Sequence, residues 1–153
     1  MQIKQKLLVD LKLKGTGETH ARTRVRTRDV ETVVDEPPVR GGTNEGPSPT
    51  ETLMASLIGC TNVITHRLAE RMGVKIADLA VDAHAKLDRR GVALEEEIAV
   101  PFPEITMKIS LRTNATPDQI ATLSADLGRY CAIAKVIRAA GTNLVEEWIT
   151  SPL

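Results

Sequence analysis

Aromatic residues are almost absent from this 153-residue chain, which contains one Phe, one Tyr and one Trp. Proteins that bind single-stranded nucleic acid stack the bases on several aromatic side chains within a basic groove. The composition offers no basic excess either, because 20 Lys and Arg residues are matched by 20 Asp and Glu residues. We therefore expect no nucleic-acid partner, and the absence of net charge gives no general attraction to a membrane surface.

Long apolar segments are also missing. A membrane-spanning helix needs about 20 consecutive apolar residues, and no stretch of the sequence approaches that length. The amino-terminal segment MQIKQKLLVDLKLKG mixes charged and apolar residues and lacks the apolar core of a signal peptide. The sequence thus predicts a cytoplasmic protein with no membrane partner, and its length is that of a single domain over residues 1–153.

Cysteine is scarce, since Cys60 and Cys131 are the only two in the sequence. They are far apart and match neither the C-x-x-C spacing of zinc sites nor that of thioredoxin-type sites. A Gly-rich phosphate-binding loop with its lysine is absent as well. In a cytoplasmic protein both thiols are expected to be reduced at rest. Two interpretations of the cysteines remain: buried apolar residues, or a redox pair.

The most distinctive segment is GPSPTETLMASLIGCTNVITHRLAERMG, residues 46–73. Ser48 as N-cap, Pro49 in the first helical position and Glu51 as capping-box residue predict a helix start, and Gly73 predicts its end. Residues 53–64 carry no charge, which indicates a helix covered on nearly all sides. Successive apolar residues of this segment are three or four positions apart, so they form one stripe along a helix. The stripe includes Cys60 together with Leu53, Leu57, Ile64 and Leu68.

Strands are predicted before and after this helix in the sequence. Apolar residues alternate over residues 7–13 and predict a half-buried strand, followed by a turn at residues 15–17. Arginine occupies every second position from Arg22 to Arg28, so a strand there carries four guanidinium groups on one face. A solvated face is one interpretation. The other interpretation is that one of these arginines pairs with a thiolate, because neighbouring like charges repel one another unless acids face them.

The second half of the chain predicts two antiparallel strands over residues 79–87 and 105–111, then a helix capped by Thr116 and Gln119. A short helix from Cys131 to Arg138 would place the Cys131 thiol at a helix N-terminus, where the dipole lowers the pKa of a thiol. Residues 144–149 form a closing strand. This order predicts an α+β fold with antiparallel sheet. One small sheet does not cover an apolar helix, so we expect a second subunit to do so.

The segment GGTNEGPSP at residues 41–49, the following helix with Cys60, and the late Tyr130-Cys131 pair together resemble the OsmC/Ohr superfamily, in its OsmC-like branch. The resemblance covers nearly the whole chain. It implies an OsmC-like α+β fold, with antiparallel sheets around central helices in an intertwined homodimer. It also implies thiol-dependent reduction of organic hydroperoxides, a lipoyl-type external dithiol as reductant, and no metal or bound cofactor.

A peroxidase needs a thiolate, and an unassisted thiol is only about 3% ionised at pH 7. Cys60 lies too far from its helix start for the dipole to help, so a guanidinium must stabilise the thiolate. The resemblance implies an arginine from the second strand, for which Arg22 and Arg24 are the nearest candidates, held by a glutamate at the helix start. The family's glutamate position is Thr50 here and Glu51 follows it, so Glu51 either holds the arginine or only caps the helix.

With these residues the predicted reaction is oxidation of Cys60 to a sulfenic acid that Cys131 resolves as a disulfide. A different hypothesis is a non-catalytic OsmC-like dimer that binds or senses a small apolar or reactive-sulfur ligand. A third treats both cysteines as structural and the arginine-rich strand as a docking surface for an acidic partner. The pKa of Cys60 and the reach of Cys131 distinguish these hypotheses.

Overall fold

The computed structural model of the protein describes residues 7–153. Over these residues the fold is α+β, with two three-stranded sheets and three α-helices. The chain divides into two units, Met1–Leu53 and Met54–Leu153. Residues 1–6 lie outside the described residues. They begin the amino-terminal segment in which the sequence analysis expects no signal peptide.

The first unit contains an antiparallel sheet in the order β1 (Lys14–Gly17), β2 (Thr23–Thr27) and β3 (Val30–Val34). A two-residue turn joins β2 to β3, and its first residue, Arg28, has a φ of 52°. Such tight hairpins need positive φ, because their backbone must follow the twist of the strands. The predicted arginine-rich strand is therefore confirmed over its central part, while Arg28 lies in the turn.

The strand predicted over residues 7–13 is wrong. The first strand starts only at Lys14 and includes residues 15–17, where the sequence predicted a turn. Alternation alone does not create a strand, since the apolar side chains need a partner surface, and here they find none. They are between 64% and 99% exposed: Leu7, Val9, Leu11 and Leu13.

A buried carboxylate organises the loop after β3. The Asp35 side chain accepts hydrogen bonds from the backbone N–H of Thr43 (3.0 Å), the Thr43 hydroxyl (2.6 Å) and the backbone N–H of Glu45 (3.1 Å). Glycine is required in this loop, because a Cβ atom on Gly46 would stand 2.0 Å from the carbonyl oxygen of Val33. The loop predicted here from composition is thus a closely packed structure.

Helix α1 (Pro49–Met72) starts and ends where the sequence predicts. At its start the backbone N–H of Ser48 donates to the Glu51 carboxylate (2.8 Å), and the Ser48 hydroxyl accepts from the Glu51 N–H (3.4 Å). At its end Gly73 has a φ of 69°, and the N–H of Val74 reaches back to the carbonyl of Ala69 (3.0 Å). Helices commonly end in this way, because glycine adopts a positive φ without a steric penalty.

The second unit contains a sheet in the order β4 (Ile76–Lys86), β5 (Glu104–Thr113) and β6 (Asn143–Pro152). Strands β4 and β5 are antiparallel, as predicted, but β6 runs parallel to β5. The expectation of purely antiparallel sheet is therefore wrong for β6. A parallel neighbour needs a long crossover, and helices α2 (Pro117–Tyr130) and α3 (Ala132–Ala139) supply it.

Alternate residues of the central strand β5 form the middle of the core, as the period-two pattern predicts. Ile105, Met107 and Ile109 are fully buried. The long helix contributes Leu57 and Leu68, and the crossover helices add further buried residues: Leu123, Leu127, Cys131, Ala134 and Ile137. This packing of helices on one sheet positions both cysteines.

Candidate redox site

Both cysteines belong to the second unit and pack in the same core. Cys60 lies on α1 and is half-buried, whereas Cys131 is fully buried at the junction where α2 ends and α3 begins. Neither is in a disulfide. The Cys60 thiol lies close enough to Cys131 to raise the pKa of that residue. The fold thus brings together two thiols that are far apart in the sequence.

The Cys131 thiol is a weak acid in this environment. Burial raises its pKa, and the adjacent Cys60 raises it further, to about 11. The backbone N–H groups of Ala134 and Ile133, at the start of α3, act in the opposite direction. The N–H groups at the helix N-terminus do lower the pKa of Cys131, as predicted, but the expected net lowering of that pKa is wrong. Removing the thiolate from water destabilises it more than the two amide donors stabilise it.

The arginines of the first unit are interleaved with acids. The guanidinium of Arg24 contacts Glu18 at 2.6 Å and Glu31 at 2.8 Å, and these bonds hold its pKa above the ordinary value. Arg26 also contacts Glu31 (2.9 Å), and the two arginines lower the pKa of that carboxyl group. Acids therefore face the arginine-rich strand, which is the condition under which such a strand avoids repulsion.

Arg22 has a different set of partners. Its Nε contacts Glu18 at 2.8 Å, its Nη1 contacts Glu45 at 3.0 Å, and Nη1 also donates to the Thr43 hydroxyl at 2.9 Å. Among the described residues no contact of its Nη2 is found, and its buried Nε makes no well-aligned hydrogen bond despite lying 2.8 Å from Glu18. In contrast, all three guanidinium nitrogens of Arg24 approach a carboxylate. Arg22 thus keeps one donor for a further group.

Comparison with known proteins identifies the family. The family model for OsmC-like proteins matches residues 42–147, which is more than half of the chain. The chain belongs to the OsmC-like family. No curated protein matches the sequence.

Solved structures share the OsmC-like fold at low identity. An OsmC-like protein from Mycoplasma pneumoniae is 10% identical with a TM-score of 0.74, over 99% of each chain. An organic hydroperoxide resistance protein, OsmC, from Legionella pneumophila is 17% identical with a TM-score of 0.63, over 95% of this chain and 99% of that one. Another from Elizabethkingia anophelis is 16% identical with a TM-score of 0.64, over 97% and 100%. These similarities establish the fold.

In this OsmC-like chain Glu51 caps the long helix. The backbone N–H of Ser48 donates to its carboxylate, and this bond, followed by the side-chain bond with Ser48, lowers the pKa of Glu51. The predicted capping box is confirmed. A role for Glu51 in catalysis stays a prediction, as do the catalytic roles of Cys60, Cys131, Arg22 and Arg24.

Asp35 is a residue that the sequence analysis missed. It is fully buried, and the Thr43 hydroxyl and three backbone amides hold its pKa below the usual range. Thr43 and Glu45, which it fixes, are the residues that contact Arg22. The sequence offered only a weak signal, an acid just before Pro37 at the predicted end of a strand.

Two further features bear on the expected partners. Over residues 7–153 no helix is long and apolar enough to cross a membrane. The same residues contain no group of three or more His, Cys, Asp or Glu side chains placed to hold a metal ion.

Proposed function

We propose that this OsmC-like protein is a thiol-dependent peroxidase that reduces organic hydroperoxides. In this proposal Cys60 becomes a sulfenic acid and Cys131 resolves it as a disulfide. The juxtaposition of the two thiols in the second unit carries the proposal, because a disulfide requires side chains that already lie close together. The names of the Legionella and Elizabethkingia relatives, organic hydroperoxide resistance proteins, agree with this activity.

The environments of the two cysteines support this assignment of roles. Cys131 is fully buried, and its pKa of about 11 keeps it protonated at neutral pH. A protonated, buried thiol is a poor first nucleophile. Cys60 is half-buried, so a peroxide can approach it more easily. The residue that attacks first is accordingly Cys60.

The steps conserve atoms and electrons. The Cys60 thiolate attacks the terminal oxygen of the hydroperoxide, the O–O bond breaks, and the organic part leaves as an alcohol after it takes up a proton. The sulfur of Cys131 then attacks the sulfenic sulfur, its proton joins the departing hydroxyl group, and water leaves. An external dithiol, of lipoyl type by family resemblance, reduces the disulfide by thiol–disulfide exchange.

In this proposal an arginine stabilises the Cys60 thiolate, and Arg22 is a better candidate than Arg24. Arg22 keeps one guanidinium nitrogen without a partner among the described residues, whereas the nitrogens of Arg24 all approach carboxylates. A guanidinium stays charged even when partly buried and favours the thiolate. Glu51 is assigned to the helix cap, so the acids that hold Arg22 are Glu18 and Glu45.

The proposal includes a homodimer. Large apolar side chains of the second unit remain open to solvent in the single chain, among them Val63 (46% exposed) and Ile149 (42% exposed). A second copy of the chain would remove such surface from water at roughly 25 cal/mol per Å². Sedimentation measurements on the purified protein test this part separately.

Rapid-mixing kinetics test the proposed activity. The fully reduced protein is mixed with cumene hydroperoxide or hydrogen peroxide, and free thiols are counted as the reaction proceeds. Complete ionisation alone would speed a thiol about 30-fold at pH 7, so a larger acceleration over free cysteine requires stabilisation of the transition state. We expect such acceleration with the organic peroxide, together with the loss of both thiols.

Variants assign the roles. Cys60→Ser should abolish the rapid reaction, whereas Cys131→Ser should keep the first step and accumulate a sulfenic acid that dimedone traps. Arg22→Gln should slow the first step. Arg26→Gln is the control, because Arg26 on β2 also pairs with an acid, Glu31 on β3. Oxidation no faster than free cysteine, without a Cys60–Cys131 disulfide, would contradict the proposal and favour a ligand-binding dimer.

A further inference from the structure

A small cavity lies between the second half of α1 and the end of α2. Its volume is about 200 Å³, and five residues line it: Ile64, Arg67, Leu68, Arg71 and Tyr130. One wall is apolar, because Leu68 is buried and Ile64 packs against the core. The other walls are cationic and phenolic. We call this cavity the arginine–tyrosine pocket.

The charges around the pocket do not cancel. Asp126 accepts from Arg71 at 3.1 Å and from Arg129 at 3.2 Å, so one carboxylate serves two guanidinium groups. Arg67 makes no ion pair with any residue that the structure describes, although Glu70 follows on the same helix. Two arginines therefore share a single acid and Arg67 has none within the described part of the chain, so an excess of positive charge remains at the rim.

The Tyr130 ring is held in place by cations, while its hydroxyl group is left without a partner. The guanidinium of Arg71 lies 5.1 Å from the ring centroid, and that of Arg129 lies 5.7 Å away. These are cation–π distances. Among residues 7–153 the phenolic hydroxyl makes no hydrogen bond, so its O–H remains available to a ligand.

We propose that the arginine–tyrosine pocket binds a small organic carboxylate. The carboxylate pairs with Arg67 and Arg71, the Tyr130 hydroxyl donates to it, and the aliphatic part lies on Ile64 and Leu68. A planar guanidinium suits a carboxylate, because it offers two parallel donors. At about 30 Å³ for each water-sized atom, the cavity holds about six or seven non-hydrogen atoms.

This site does not rest on the proposed peroxidase activity. Its ligand is recognised by charge and by apolar contact, and neither cysteine lines the cavity. Binding can therefore be measured on a Cys60→Ser variant, which lacks the thiol proposed to react with peroxide. A failure of the peroxidase proposal leaves this inference standing, and the reverse also holds.

Pentanoate is a suitable probe, because it combines a carboxylate with a short aliphatic chain of the right size. Its binding is followed by amide chemical shifts of the isotope-labelled, full-length protein, with pentan-1-ol and inorganic phosphate as comparison ligands. We expect saturable shifts at residues around the pocket with pentanoate. Neither pentan-1-ol, which lacks the charge, nor phosphate, which lacks the apolar part, should bind as tightly.

Variants separate a built site from general attraction. Arg67→Gln should weaken pentanoate binding about tenfold, which is the size expected for loss of one charge-assisted hydrogen bond. Tyr130→Phe keeps the ring and should weaken binding by a smaller factor. Arg112→Gln, at an exposed arginine paired with Asp78 at 2.7 Å, should have no effect.

Three results would overturn the proposal. Equal binding of pentanoate by the protein and by Arg67→Gln would show that the unpaired arginine does not recognise the carboxylate. Equal binding of pentan-1-ol would reduce the site to an apolar cleft. Equal binding of phosphate with the same shifts would make it an inorganic-anion site.

Discussion

Cys60 on the long helix lies beside Cys131, the residue that joins the end of α2 to the start of α3. The pair is asymmetric, since one thiol is half-buried and the other has no exposed surface. Burial raises the pKa of Cys131, and the adjacent Cys60 raises it further. Cys131 is therefore the thiol that stays protonated at neutral pH.

The first prediction concerns this ionisation. In the Cys60→Ser variant, Cys131 should keep a pKa above the ordinary thiol value, because burial is the largest cause of the increase to about 11 and remains after substitution. The pKa should fall somewhat below that of the native pair, since the contribution of Cys60 is lost. Thiolate absorbance at 240 nm measures the titration without requiring a reagent to reach the buried sulfur.

The Cys131→Ser variant supplies the baseline for this titration, and circular dichroism at each pH shows the range over which the protein is folded. Thiolate absorbance from Cys131 that appears near neutral pH in Cys60→Ser would contradict the prediction. It would mean that the amide donors at the start of α3 outweigh burial, as the sequence alone suggested.

The second prediction concerns Asp35. Its pKa in the folded protein is lowered, first by the Thr43 hydroxyl and also by backbone amides. A lowered pKa contributes stability that is present above the unfolded pKa, near 3.8, and is lost as the pH falls through the folded value. We expect Asp35→Asn to destabilise the protein near neutral pH and to flatten the decline in stability below about pH 5.

Urea unfolding at a series of pH values between neutral and acidic conditions measures this effect, with far-ultraviolet circular dichroism as the signal. Asp29→Asn is the control, because Asp29 is an exposed aspartate in the turn between β2 and β3. Equal pH dependence in Asp35→Asn and in the unsubstituted protein would show that the Asp35 carboxylate is not ionised in its buried hydrogen bonds.

Much of the helical structure was predictable, because its signals are local. Ser48 and Glu51 mark the start of α1, and Thr116 and Gln119 mark the start of α2, in both cases through bonds between residues three positions apart. Gly73 marks the end of α1 through its positive φ. Such bonds depend on the nearby chain alone, so the sequence contains all the information needed.

The failures concern properties that distant residues decide. Apolar alternation over residues 7–13 does not reveal whether a sheet face is available, and the direction of β6 depends on the crossover through α2 and α3. At the candidate site, the pKa of Cys131 follows from burial by several elements. The role of Asp35 in the loop is likewise set by contacts eight and ten positions away.

The third prediction compares two glycines. In Gly46→Ala the new methyl group would stand 2.0 Å from the carbonyl oxygen of Val33, so backbone must move. Overpacking of this kind costs about 1–3 kcal/mol of the free energy of unfolding. In Gly59→Ala no atom of the single chain lies within 4 Å of the new methyl group. Within a helix this change should instead stabilise by about 0.5–1 kcal/mol.

Urea unfolding of both variants at one protein concentration tests this contrast, because the same substitution should act in opposite directions at the two positions. Gly46→Ala with unchanged stability would contradict the close approach of the loop to β3. Gly59→Ala that destabilises the protein would contradict the open surroundings of that helix face. Repeating the measurement over a range of protein concentrations shows whether the surroundings include a second chain, because only an interface makes stability depend on concentration.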